Sequence, residues 1–252
     1  MHSQVDILLL LTGGGFVAGI VNTIAGGGSM LTVPLLVLAG LPGTLANGTN
    51  RVGVLVQNLS AIRRFHAEGI EALRPALPVL VPVGIGSLVG ALGISQVADA
   101  TFERAFGLVM LALLAPTLRR PRPRAGAQDD PGMHGWPPLL RAAVFFAIGV
   151  YGGAFQAGVG IVLLLALGRA GFDLVTANAI KVIVVGLLTL VAVPVFVVQG
   201  QVHWLPATAL ALGAGAGGAV GAHLTVRSGE RLVRPVLALA VAALAGRMLG
   251  LY

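Results

Sequence analysis

The sequence predicts an all-α polytopic membrane protein: two inverted repeats of about five hydrophobic segments each, with short broken or re-entrant helices. Three observations predict it. Hydrophobic residues make up 56% of the chain and charged ones only 10%, with a mean hydropathy of +0.94, whereas a soluble domain carries about 25% charged residues. Apolar runs are interrupted at Gly26-Gly27-Gly28-Ser29 and, more weakly, at Gln156-Ala157-Gly158-Val159-Gly160. Each break is followed by an apolar piece much shorter than the roughly 20 residues needed to cross a bilayer. Finally, a shift of 131 positions lays one half on the other. It pairs Ala46-Asn47 with Ala177-Asn178, Gly69 with Gly200, Pro75-Ala76 with Pro206-Ala207, and Gly84, Gly86 and Gly90 with Gly215, Gly217 and Gly221. Glycine-interrupted segments in matching positions of two halves point to a transporter's binding site.

Taken in order, the apolar segments are Val5–Ala25, Ser29–Gly40, Ala46–Ile62, Ala76–Ile94 and Phe102–Leu118, then Leu139–Ala154, Val159–Leu167, Val175–Val198, Leu205–Leu224 and Val233–Leu249. The organisation is therefore a first transmembrane repeat over 1–118, an Arg/Pro-rich linker over 119–138 and a second repeat over 139–252. The run before Ala25 follows no basic stretch and no cleavage site, so it predicts a retained helix and not a signal peptide. Whether 29–40 and 159–167 span fully or re-enter is left open by their length.

Charge placement gives orientation. The formal charge is +7, and its densest run, Arg119-Arg120-Pro121-Arg122-Pro123-Arg124, predicts a cytoplasmic anchor beside anionic lipid, not a nucleic-acid patch. With that linker in the cytoplasm, Arg63, Arg64, Arg74, Arg141, Arg169, Arg227, Arg231 and Arg234 fall on the same side, and Arg51, Arg104 and Arg247 do not. An odd number of crossings per half makes the repeats opposite in orientation, the plan of many secondary carriers. The expected location is a cell membrane of the bacterial inner-membrane type, crossed many times.

Several function classes are disfavoured. The chain has no cysteine, which removes disulfides, thiolate chemistry and cysteine metal sites. Walker A, His-Glu-x-x-His and nucleophile-elbow sequences do not occur. Gly213-Ala214-Gly215-Ala216-Gly217-Gly218 fits a dinucleotide fingerprint, but it lies in a membrane segment with no preceding strand; helix packing explains it better. Asp6, Asp99, Glu103 and Asp173 sit near segment ends, so coupling falls to the anion's own gradient or to a protonated substrate. The expectation is a carrier and not an enzyme, with no cofactor and no metal. Its partners would be a small anionic substrate and membrane lipid, without nucleic acid, and a homo-oligomer is compatible with the sequence.

An anion carrier needs a desolvated positive potential, which helix N-termini and glycine-exposed backbone supply. Gly26, Gly27, Gly28 and Ser29 ahead of the short second segment fit that role, with Asn22, Thr23 and Ser29 as side-chain donors. Gln156, Gly158 and Gly160 form the related half-site. The alternative for these glycines is close helix packing. Lys181, the only lysine of the chain, and Arg51 lie inside apolar segments, where a cation is costly and a functional candidate by default. From opposite repeats they could neutralise a divalent oxyanion between them; the alternative is snorkelling to the interface. Thr49, Asn50 and Asn178, with Asn47, are nearby polar groups or helix caps. Gln57, Asn58 and Ser60 extend a polar path or form interhelical hydrogen bonds. His66, His203 and His223 read as interfacial.

The pattern Gly19-x-x-Asn22-x-x-x-Gly26-Gly27-Gly28, with Pro34-Leu35-Leu36, Gly40-Leu41-Pro42, Ala46-x-Gly48-Thr49-Asn50 and the turn Gly200-Gln201-Val202-His203-Trp204, resembles the sulfite exporter TauE/SafE family. The likeness covers essentially the whole chain, and the first-half motif is the more specific. In the second half Gly158-Val159-Gly160 is degenerate, and Ala177-Asn178-Ala179-Ile180-Lys181 lacks the Ala-x-Gly-Thr form. The resemblance implies export of sulfite, an organosulfonate or a related sulfur-containing anion. The rivals are a carrier of another small anion, such as a carboxylate, and a non-transporting membrane accessory protein.

Overall fold

The structure is a computed structural model that describes residues 4–118 and 136–228. The Arg119–Arg124 linker, the expected last segment Val233–Leu249, and Arg231, Arg234 and Arg247 lie outside the described residues. Among the described residues there are nine helices and no strand: α1 Gln4–Ala25, α2 Ser29–Leu38, α3 Gly43–Ala67, α4 Leu73–Ile94, α5 Asp99–Leu118, α6 Pro138–Ala154, α7 Val159–Arg169, α8 Leu174–Val198 and α9 Trp204–Ser228. The chain is a polytopic helical membrane protein. α1, α4, α8 and α9 are each long and apolar enough to cross a bilayer. α2 and α7, of 10 and 11 residues, extend only about 15 Å at 1.5 Å per residue and do not cross alone.

The 131-residue shift reappears in the helices. It carries the bounds of α3 onto those of α8, and the left-handed glycines Gly40 (φ 96°) and Gly69 (φ 80°) onto Gly171 (φ 90°) and Gly200 (φ 68°). These glycines end α2, α3, α7 and α8, because the backbone there turns into a region L side chains avoid.

Packing follows the same relation. α1 lies against α9, and α6 against α4, so the first helix of each half packs on the fourth of the other. Small residues permit the approach. A Cβ added at Gly213 or Gly217 would strike the carbonyls of Thr12 or Phe16, and one at Gly86 or Gly90 would strike those of Phe146 or Val150. This is the packing expected for the Gly213–Gly218 run.

Apolar side chains lie both in the core and on the outer surface, and many polar ones are buried. Leu212, Val81 and Leu9 face outward, whereas Asn47, Thr49, Asn50, Arg51, Gln57 and Asn58 of α3 are buried. With lipid as solvent, apolar groups are free to face out and polar groups must find partners within the protein. α3 carries so much of this inward polarity that hydropathy alone does not mark it as a span.

Candidate functional site

Two helix breaks meet inside the molecule. α1 ends where Gly26 takes φ 83°, while its N–H still bonds the Asn22 carbonyl at 2.8 Å. α6 ends at Ala154, and Gln156 adopts φ 58°, the one non-glycine in the left-handed region among the described residues. Such a residue costs on the order of 1–3 kcal/mol and marks a functional or tightly constrained site. A Cβ on Gly160 would lie 2.5 Å from the Gly26 Cα, so the breaks touch through bare backbone.

Beside the first break lies a small cavity at which the polar side chains of Asn22, Thr32, Asn50 and Gln57 meet Gly28, Gly53 and the apolar Ala18, Val54, Leu210 and Ala214. Asn22 ties the break to α3: its Oδ1 accepts from the Gly28 N–H at 3.1 Å and its Nδ2 donates to Gln57 Oε1 at 2.5 Å. Gln57 Nε2 donates to Thr23 Oγ1 at 2.8 Å, and Thr32 Oγ1 donates to Asn50 Oδ1 at 2.5 Å. Asn50 is 0% exposed, yet its Nδ2 has no hydrogen-bond partner. A buried donor of this kind costs about 1–3 kcal/mol unless something meets it. Gly28 is also the N-cap of α2 and supplies no side chain to it, so the dipole end of α2 stands at the cavity with its partial positive charge. In this conformation there is room for little more than a water molecule.

The equivalent place in the second half is filled. Under the same shift Gly28, Thr32, Gly53 and Gln57 become Val159, Leu163, Val184 and Leu188, while Leu210 and Ala214 correspond to Val79 and Val83. All six of these apolar residues belong to one buried cluster.

The two buried cations hold the broken helices. Lys181 is 2% exposed, and its Nζ donates to the Asn22 and Thr23 carbonyls at 2.9 and 2.6 Å and to Asn178 Oδ1 at 2.6 Å. Arg51 is 0% exposed; its Nη2 donates to the Gly153 and Ala154 carbonyls at 2.5 and 3.0 Å, its Nη1 to Gly152 at 3.3 Å. Asn22 and Thr23 correspond to Gly153 and Ala154 under the shift. Each cation therefore bonds carbonyls at the C-terminal end of the other half's broken helix, where a positive charge is favoured. Arg51 also sits 4.4 Å over the Phe196 ring. Both are buried and bonded within the protein and do not reach out to its surface.

The remaining candidates are distributed around this core. Thr49 Oγ1 accepts from the His203 N–H at 2.9 Å, and Asn47 Nδ2 donates to the Ala154 carbonyl at 2.9 Å. Asn178 bonds the Leu174 carbonyl at 3.0 Å. Capping falls to other residues: Asp173 caps α8, and Asp99 accepts from the Thr44 N–H at 2.9 Å at the start of α3. Gln156 Nε2 donates to Thr189 Oγ1 at 2.6 Å, and its Oε1 has no partner. Ser29 is buried at the start of α2, and Gly27 and Gly158 lie in the two breaks. His223 Nδ1 meets Glu68 Oε1 at 2.7 Å just beyond the end of α3. Among the described residues no group of three or more His, Asp or Glu gathers as a metal site. Thr32 and Gly53 were not among the sequence candidates; the signal for them was the polar-for-apolar exchange under the 131-residue shift.

Comparison with known proteins places these features. The chain is 30% identical over 238 residues to a Haemophilus influenzae protein named "Probable membrane transporter protein", covering 94% of this chain and 92% of the relative. It is 28% identical over 246 residues to "Probable membrane transporter protein ORF9" of a Sinorhizobium species, covering 96% and 92%. It is 26% identical over 234 residues to "Probable membrane transporter protein YfcA" of Escherichia coli K12, covering 92% and 86%. No solved structure matches the chain. The sequence profile described as "Sulfite exporter TauE/SafE" matches residues 11–248, so the chain belongs to the sulfite exporter TauE/SafE family.

Proposed function

We propose that this protein is a secondary carrier that exports sulfite, an organosulfonate or a related small sulfur-containing anion across a bacterial-type inner membrane. The observation that carries this reading is Asn50 Nδ2, a fully buried donor without a partner, on a residue that lines the small cavity at the N-cap of α2. A scaffold gains nothing from that arrangement, whereas an anion oxygen would satisfy it. The family description adds the sulfur chemistry. Substrate would lie between the α1–α2 break and α3, contacting Asn22, Gly28, Thr32, Asn50 and Gln57.

The related helix bounds and exchanged packing of the two halves support alternating access by inverted repeats. The cavity is too small for sulfite in this conformation, so the repeats must part to load and release it. Labelled sulfite counterflow in proteoliposomes tests the proposal, with acetate and taurine as competitors. Saturable exchange of sulfite is the expected result. Exchange driven by acetate alone would move the substrate to the carboxylates. No exchange of any anion by folded protein would leave the accessory-protein reading in its place.

A further inference from the structure

The ligand-facing groups of the cavity are neutral. Asn22, Thr32, Asn50 and Gln57 line it, and no Lys, Arg or His does. The two buried cations that a dianion would call for are engaged elsewhere, Arg51 on α6 carbonyls and Lys181 on α1 carbonyls. An ammonium has three N–H donors, and those of Lys181 are matched by the Asn22 and Thr23 carbonyls and Asn178 Oδ1. Its charge reaches the cavity only through the Asn22 main chain, with no N–H left for a ligand.

The repeat makes this neutrality specific. Asn50 occupies the position that Lys181 holds in the other half. Where a lysine could have entered the cavity, the chain has a shorter amide. The remaining positive potential is a helix end of about half a unit charge and one indirect ammonium, which matches one negative charge. A second charge would have to be desolvated against neutral dipoles, and that penalty rises steeply with ionic charge.

Resting on the reading of this cavity as the substrate site, we infer that it takes a singly charged oxyanion, hydrogensulfite or a sulfonate, and rejects dianions such as sulfate. Asn50 is the residue at which charge state is read. Sulfite exists in both charge states near neutral pH, so only part of the total would be substrate.

Methanesulfonate and sulfate are close in size and differ by one charge, which makes them the test pair. In wild-type proteoliposomes, methanesulfonate is expected to inhibit labelled sulfite counterflow at concentrations about tenfold or more below those of sulfate. Sulfate competing as well as methanesulfonate, or neither competing, overturns the inference while sulfite counterflow itself keeps the carrier reading. Absence of sulfite counterflow from folded protein overturns both. The Asn50→Lys variant adds a second arm: the ratio of the two inhibitory concentrations should shift toward sulfate by about tenfold. An unchanged ratio in folded Asn50→Lys protein contradicts the role given to Asn50.

Discussion

Asn50 and Lys181 stand at the same position of two related halves, and the Lys181 ammonium reaches across to the Asn22 carbonyl at 2.9 Å, beside the cavity that Asn50 lines. On the proposed function, one half supplies a neutral ligand group, while the other supplies the ammonium that bonds the first half's broken helix.

Loss of that ammonium should be felt as instability. In Lys181→Met the Thr23 carbonyl loses the ammonium, at about 1–3 kcal/mol for an acceptor left buried and unpaired, while the Asn22 carbonyl keeps the Gly26 N–H. Thermal unfolding in detergent should show a clearly lowered midpoint. A midpoint equal to wild type would mean that the Thr23 carbonyl finds another partner.

Arg51 should not tolerate lysine. Its guanidinium spans three carbonyls and covers the Phe196 ring, which a single ammonium cannot reproduce. Arg51→Lys is expected to cost about 1–3 kcal/mol in the same measurement. Phe196→Leu should cost less, since the carbonyl contacts remain. Equal stability of Arg51→Lys and wild type would show that the fork geometry is not needed.

The meeting of the two breaks predicts a contrast between two glycines of α7. Gly160→Ala would push a methyl into Gly26, 2.5 Å away, while Gly168→Ala meets nothing within 4 Å. The first should destabilise by about 1–3 kcal/mol through overpacking and reduce counterflow sharply. The second should be neutral or slightly stabilising, as alanine favours helix. Similar behaviour of both variants would contradict the contact.

Acid sensitivity has an identifiable source between α3 and α9. Glu68 accepts from His223 at 2.7 Å and pairs with Arg64 at 2.6 Å. The His223 hydrogen bond, then the Arg64 charge, outweighs desolvation and holds the Glu68 carboxyl below its ordinary range. A depressed carboxylate adds stability above its unfolded pKa, and that stability is lost as pH falls through the folded value. Lowering the pH through the acid range should therefore reduce the wild-type midpoint more steeply than that of Glu68→Gln. Parallel pH curves would remove Glu68 as the cause.

Much of the fold was legible because apolar runs and glycine breaks are local. The Val175–Val198 segment is α8 almost to the residue, and Ser29–Gly40 is α2 with its left-handed Gly40. α3 begins at Gly43 and not at Ala46, since its first turn is capped by Asp99 from a distant helix, which no local pattern announces. Asn22, Gly28 and Asn50 were legible as polar or glycine positions inside apolar runs. The employment of Arg51 and Lys181 was not, because the carbonyls they meet are more than 100 residues away in sequence. The polarity of one cavity and the plugging of its mate were present in the sequence. They emerge when Thr32 is set against Leu163 and Gln57 against Leu188.

The most direct measurement is equilibrium binding of labelled sulfite to purified wild type, Asn50→Asp and Leu163→Ala. Asn50→Asp keeps the acceptor for Thr32 but replaces the free donor with a negative charge. The expected result is one site per chain in wild type and Leu163→Ala, and none in folded Asn50→Asp. Binding retained in Asn50→Asp, or lost in folded Leu163→Ala, would contradict a single site at the first break.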